Sequence, residues 1–229
     1  MSLTAVLGER GRPLRLLCLG AHCDDIEIGA GGTILRLLAE RPGSEVTWMV
    51  LSSTPERERE ALASAGAFLT GATGGQRVLV RAFRDGYLPS QSVEVKDAFE
   101  ELKATVRPQL ILTHHRHDRH QDHRLIAELT WNTFRDHLIA EYEIPKYEGD
   151  LGAPNVFMHL SREIVESKVA AILQNFPSQC TRQWFSEDAF LALLRLRGIE
   201  SNAPTRYAEA FYCRKMVLGG EETGETSAG

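Results

Sequence analysis

The chain has 229 residues, 43% of them hydrophobic and 25% charged, which is enough for one large domain with a real core and is ordinary for a soluble globular protein. Its formal net charge of -5 argues against a general nucleic-acid binder, because phosphate affinity comes from clustered Lys and Arg. No apolar run is long enough to span a membrane, residues 1–12 lack the apolar core of a signal peptide, and Cys18, Cys23, Cys180 and Cys213 form no CxxC pair and read as reduced thiols, so a cytoplasmic protein is expected.

Taken in chain order, strand and helix patterns alternate. Residues 14–19 and 46–51 are short apolar runs with β-branched members, the pattern of buried parallel strands. Residues 77–80 and 110–113 are weaker versions of the same. Residues 33–39, 57–69, 95–106 and 124–139 carry apolar side chains at helical spacing, as Phe99, Leu102 and Val106 illustrate. Residues 142–159 hold Pro145, Gly149, Gly152 and Pro154, and are expected to form a long functional loop. Two later helices are expected over 162–174 and 187–197, and a late strand over 208–213. This alternation predicts an α/β chain with a single Rossmann-like doubly wound domain over 13–217, a mostly parallel sheet flanked by helices. The ends, 1–12 and 218–229, are rich in Gly, Glu, Ser and Thr and are read as flexible.

Two polar clusters end predicted strands. Gly20-Ala21-His22-Cys23-Asp24-Asp25 follows the first, and the stretch from His114 to His123 follows 110–112. In open α/β sheets, that end of the strands is where ligands bind. His22 and Asp25, three apart, can turn onto one ion, a donor mix that suits Zn²⁺ and tolerates Fe²⁺ or another first-row divalent metal. Asp24 is then free to face a substrate as a proton acceptor; the alternative is that both aspartates simply cap the next helix. His120 and His123, three apart at a helix start, share a face. One can bind the metal while the other reaches a reacting carbonyl. Asp122 can orient an imidazole, and Asp118 is read as fixing the turn. His114, His115 and His117 are surplus, at least two of them surface or supporting residues. The glycines of Gly29-Ala30-Gly31-Gly32-Thr33 invite a dinucleotide reading, but their spacing is not GxGxxG; close helix packing explains them better.

Together these segments resemble the LmbE/PIG-L family of metal-dependent N-deacetylases. That family carries Ala-His-Pro-Asp-Asp after its first strand and then Gly-Gly-Thr, matched here by Ala21 to Asp25 and by Gly31-Gly32-Thr33. Its second motif, His-x-Asp-His, is matched by His120 to His123. Arg57 to Ala61, Asp85-Gly86 and Ala208 to Phe211 are weaker matches. The resemblance implies that His22, Asp25 and His123 hold one Zn²⁺ per chain, that Asp24 is the base for a metal-bound water, and that His120, supported by Asp122, stabilises the oxyanion or protonates the leaving amine. Arg57 and Asp85 would lie near substrate or base. The substrate implied is a small amino-sugar conjugate of the N-acetylglucosamine type, hydrolysed to amine and acetate. Tyr147 and His159, on the 142–159 loop, are assigned to its sugar wall. Cys23, where the family has proline, is read as a tolerated filler. Two other readings stay open: a metal amidase acting on a larger acyl or thiol conjugate, and a non-enzymatic nucleotide- or sugar-binding module. Oligomeric state is not readable from the residues; members of the family often form multimers, which leaves a homo-oligomer open.

Overall fold

Side chains of a strand alternate between the two faces of its sheet, and here both faces are buried. The computed structural model describes residues 11–217; of the ends expected to be flexible, only Gly11 and Arg12 fall among them. Within the described residues, β1 (Arg15–Gly20), β2 (Glu45–Ser52), β3 (Gly75–Phe83), β4 (Leu110–His114) and β5 (Leu138–Tyr142) run parallel. The late strand β7 (Ala208–Cys213) is antiparallel to β5, and β6 (Val156–His159) is antiparallel to β7. The sheet order is β3-β2-β1-β4-β5-β7-β6. Leu16, Cys18 and Trp48 face one core, beneath α1 (Asp25–Glu40), α2 (Pro55–Phe68) and α5 (Arg162–Asn175). Leu17, Leu19 and Ile111 face a second core, beneath α3 (Ser92–Thr105) and α4 (Gln121–Thr133). A sixth helix, α6 (Glu187–Glu200), packs against β7. The fold is the doubly wound α/β architecture expected from strand–helix alternation.

The differences from that expectation have physical causes. The first helix begins at Asp25, eight residues before the apolar pattern becomes visible, because its opening turns hold the carboxylates and glycines of the motif. The helix expected over 124–139 stops at Thr133, and Leu138 and Ile139 belong to β5 instead. Two adjacent apolar residues fit either period. The 142–159 loop is shorter than expected, since its last four residues form the edge strand β6. Helices α2, α5 and α6 start behind conventional caps: Thr54, Ser161 and Ser186 each accept an amide of the first turn.

Helix α1 lies unusually close to its neighbours, and its glycines are the reason. A Cβ on Gly29 would come within 2.2 Å of the Tyr142 ring, and one on Gly31 within 2.5 Å of Phe68. A buried ion pair then reaches into the same helix. Glu209 of β7 accepts the amides of Gly32 and Thr33 at 2.8 and 2.6 Å. Lys168 of α5 donates to Glu209 at 2.6 Å and to the Ile28 carbonyl at 2.7 Å. These contacts remove the remaining basis for a phosphate-cradling glycine loop, because the amides it would need are already taken.

Candidate metal centre

The strand order reverses at β1: its neighbours are β2 on one side and β4 on the other. The crevice beyond the carboxyl ends of such strands is the place where open α/β sheets bind ligands. Both clusters arrive there, one from the end of β1 and one from the end of β4. His22 Nδ1 lies 3.1 Å from His123 Nε2 and 3.2 Å from Asp25 Oδ2, and His123 Nε2 lies 3.5 Å from Asp25 Oδ1. Ligands about 2.0–2.1 Å from a tetrahedral ion stand about 3.3–3.4 Å apart; the two imidazoles come that close to each other and each to one oxygen of the Asp25 carboxylate, and the groups His22, His120, His123 and Asp25, His114, His123 each bring their donor atoms within 4.8 Å of one another. Two nitrogens and one oxygen suit Zn²⁺ and equally a non-haem Fe²⁺.

The electrostatics agree with that geometry. Burial works to raise Asp25, but the imidazoles of His123, His114 and His22 outweigh it and hold its carboxyl well below the usual range. Burial and the neighbouring His114 push His123 down to about 4, leaving a neutral imidazole with a free lone pair. His22 goes the other way: against the cost of burial, Asp25, Asp122 and Asp85 draw it well above its ordinary value. The pocket favours positive charge at His22, and a cation bound there would take the place of that proton.

The outer contacts are not all those the motif suggests. His22 turns Nε2 towards Asp85 and Asp122, at 3.1 and 3.4 Å. The Asp122 carboxylate, fully buried, also accepts the amides of Gly86 and Leu88 at 2.8 and 3.1 Å. It therefore backs His22, not His120 as expected. His120 is held through its own Nδ1, which accepts the Asp122 amide at 3.3 Å and caps α4. The partner of His123 is Asp118, whose Oδ2 lies 2.9 Å from Nδ1 while Oδ1 accepts the His120 amide at 2.8 Å. Asp118 fixes the turn as expected, and it orients the imidazole of His123 as well. His114 is the second residue that motif reasoning undervalued. It is fully buried, stacks on His123 with ring centroids 3.9 Å apart, accepts the Ala21 amide at 2.9 Å and lies 3.1 Å from Asp25. Its position at the last residue of β4 was the signal that could have found it.

Asp25 lies in the first turn of α1, while Asp24, at the N-cap position, makes no side-chain cap. The Asp24 carboxylate instead meets the Arg57 guanidinium at 2.9 Å. Burial raises Asp24 above the ordinary carboxylate range, with Arg57 opposing that rise and Asp25 adding to it. Glu60 and Ser178 fix Arg57 in turn, at 2.7 and 3.2 Å. The Cys23 thiol points away to the Ser52 carbonyl and is pushed up to about 12 by burial, so it stays protonated and outside the ligand set. His115 stacks on Tyr212 with centroids 3.7 Å apart, one of the supporting residues expected.

A cleft of about 680 Å³ opens above these groups. His22, Asp24, Asp25, His120 and His123 form its floor; Arg57, Asp85, Tyr147, Arg182 and Trp184 are among its walls. His159 is not. It sits on β6, paired with Ala208 at the outer edge of the sheet, two strands beyond β5 and so displaced sideways from the cleft.

A family model described as PIG-L, GlcNAc-PI de-N-acetylase, matches residues 17–134, just over half of the chain. Among solved structures, the conserved protein TT1542 from Thermus thermophilus is 25% identical, with 93% of this chain and 100% of that one covered and a TM-score of 0.70. The N,N'-diacetylchitobiose deacetylase from Pyrococcus horikoshii is 20% identical over 90% of this chain and 84% of that one, with a TM-score of 0.64. GalB, the 4-carboxy-2-hydroxymuconate hydratase from Pseudomonas putida, is 17% identical over 90% and 98%, with a TM-score of 0.68. The last two likenesses speak for the fold alone, and a deacetylase and a hydratase share it.

Proposed function

The chain belongs to the PIG-L family, the GlcNAc-PI de-N-acetylases, and from that premise we propose that it is a divalent-metal-dependent N-deacetylase. Its substrate is a small conjugate of the N-acetylglucosamine type, and its products are acetate and a free amine. The observation that carries this reading is the convergence of His22, Asp25 and His123 within 3.1–3.5 Å of one another, on the floor of a cleft, with the Asp24–Arg57 pair beside them.

His22, Asp25 and His123 are the residues that would hold the metal, Zn²⁺ by donor type. An ion there supplies Lewis-acid polarisation of the acyl oxygen and lowers the pKa of water towards about 7. Asp24 takes the proton of the attacking water; its raised affinity for a proton, caused by burial, suits a base working near neutrality. Arg57 keeps that carboxylate aimed and limits the rise. His120 commits Nδ1 to the Asp122 amide, which leaves Nε2 to stabilise the oxyanion or deliver a proton to the leaving nitrogen. Asp118 holds the imidazole of His123 by a hydrogen bond, and the Asp122 carboxylate lies 3.4 Å from the His22 imidazole. Asp85 stands near His22, and Tyr147 and Trp184 offer flat apolar faces to a sugar ring. No helix among the described residues is long and apolar enough to cross a membrane.

Elemental analysis paired with acetate release from an N-acetylglucosamine conjugate, with and without chelator, tests the reading. The expected result is about one divalent ion per chain and chelator-sensitive acetate release. Asp24→Asn is expected to lose about 10²–10⁴-fold in turnover while keeping its metal; full turnover in that variant would remove Asp24 from its role. Metal without acetate would redirect the search to larger acyl groups, and no metal after reconstitution would end the hydrolase reading.

A further inference from the structure

The loop that walls the cleft carries a charged pair that reaches behind the metal centre. Asp118, 4% exposed, gives Oδ2 to His123 Nδ1 at 2.9 Å. Lys146, from the loop between β5 and β6, places Nζ 2.9 Å from that same oxygen. Lys146 is not committed to Asp118 alone. Its Nζ also lies 2.6 Å from Asp150 Oδ1 and donates to the Ile144 carbonyl at 3.3 Å. Asp150 is fixed by the Arg119 amide, which it accepts on Oδ2 at 2.6 Å. One ammonium is thus divided between two carboxylates, and one of these is the group that orients a metal ligand.

The sign of each group's effect follows from charge. A carboxylate behind a ligating imidazole makes the coordinating nitrogen more basic. A cation resting on that carboxylate withdraws part of the effect and also repels a divalent ion. A second carboxylate on the same cation returns part of what it withdrew. The side chains of Asp118, Lys146 and Asp150 are all nearly buried, so solvent ions screen them weakly.

We infer that Lys146 and Asp150 are positioning residues that set the divalent-metal affinity of the centre through Asp118, with opposite signs: Lys146 weakens metal binding and Asp150 strengthens it. The inference rests on the assignment of His22, Asp25 and His123 as metal ligands. Its consequence is that a loop docked on Asp118 leaves a bound ion less neutralised by its ligands and more electrophilic. A loop lifted away lets the same ligands hold the ion more tightly.

The test is metal affinity, read on the full chain after stripping, by competition of Zn²⁺ between protein and a chromophoric chelator at one near-neutral pH and one salt concentration. Lys146→Met is expected to bind at least about threefold more tightly and Asp150→Asn at least about threefold more weakly; Asp118→Asn should lose about 10–100-fold. Lys146→Arg, which keeps the charge, should match the parent, and Lys146→Gln should follow Lys146→Met. The Co²⁺ absorption spectrum should be the same in parent and Lys146→Met, since the ligands do not change. A loop that merely straps the site into shape would be loosened by both Lys146→Met and Asp150→Asn, and shifts of the same sign, or none, overturn the inference. No ion uptake by the parent protein would overturn the ligand assignment as well, which separates the two failures.

Discussion

The two halves of the sheet do different work. The parallel half, β1 to β4 with α1 to α4, carries His22, Asp24, Asp25, Arg57, Asp85, His120, Asp122 and His123, and residues 17–134 are what the family model matches. The other half, β5, β6, β7, α5 and α6, contributes none of the proposed metal ligands. It supplies Tyr142 against Gly29, Glu209 and Lys168 inside α1, and one wall of the cleft. Chemistry is concentrated at strand ends around one topological switch point, whereas the support for it comes from residues far along the chain. A substitution in the first half should therefore cost function more than stability, and one in the second half stability more than function.

The largest expected effect is in the parallel half. His123→Ala removes an imidazole from the coordination shell, and should abolish metal retention and turnover while the metal-free protein still unfolds cooperatively. Elemental analysis beside a urea titration would show it, and a variant that kept its ion would break the contrast. Next comes Glu209→Gln. It leaves Lys168, 2% exposed, without its counter-charge, and removing one partner of a buried pair typically costs about 3–5 kcal/mol. Chemical denaturation measures that loss directly; a cost below about 1 kcal/mol would mean the second half is not the brace described here. The smallest effect concerns pH. Burial and the nearby His117 push His115 down to about 4. The unfolded chain therefore binds a proton that the folded chain refuses, and stability falls as pH drops from about 6.5 towards about 4. His115→Phe keeps the stack on Tyr212 and should flatten part of that fall. Denaturation midpoints at the two ends of the window decide it, and an unchanged slope would count against the assignment.

The strands of the parallel half are legible because a strand buried on both faces is a short continuous apolar run. The ligands are legible because they must leave such strands at one end. The side of the sheet from β5 outwards was harder to read. Leu138 and Ile139 continue a helical spacing, and only their pairing with Ile111 and its neighbours on β4 makes them a strand. The segment from Val156 to His159 is four residues among glycines and prolines, and what holds it is β7, more than forty residues away. Within the site, His22, Asp25 and His123 carry a motif, but the roles of His114 and Asp118 depend on where β4 and the turn before α4 come to rest. His159 illustrates the reverse: a chemically suitable side chain that the position of β6, at the outer edge of the sheet, keeps out of the cleft.

The hydrogen bonds from Gly32 and Thr33 to Glu209 also bear on how the protein comes into being. A chain leaves the ribosome from its N-terminus, and domains gather structure as they emerge. Helix α1 is made early, yet the carboxylate that meets its two amides is synthesised 177 and 176 residues later. A nascent chain thus displays the His22–Asp25 segment long before α1 has the partner that settles its shape. That contact forms only once β7 has paired between β5 and β6.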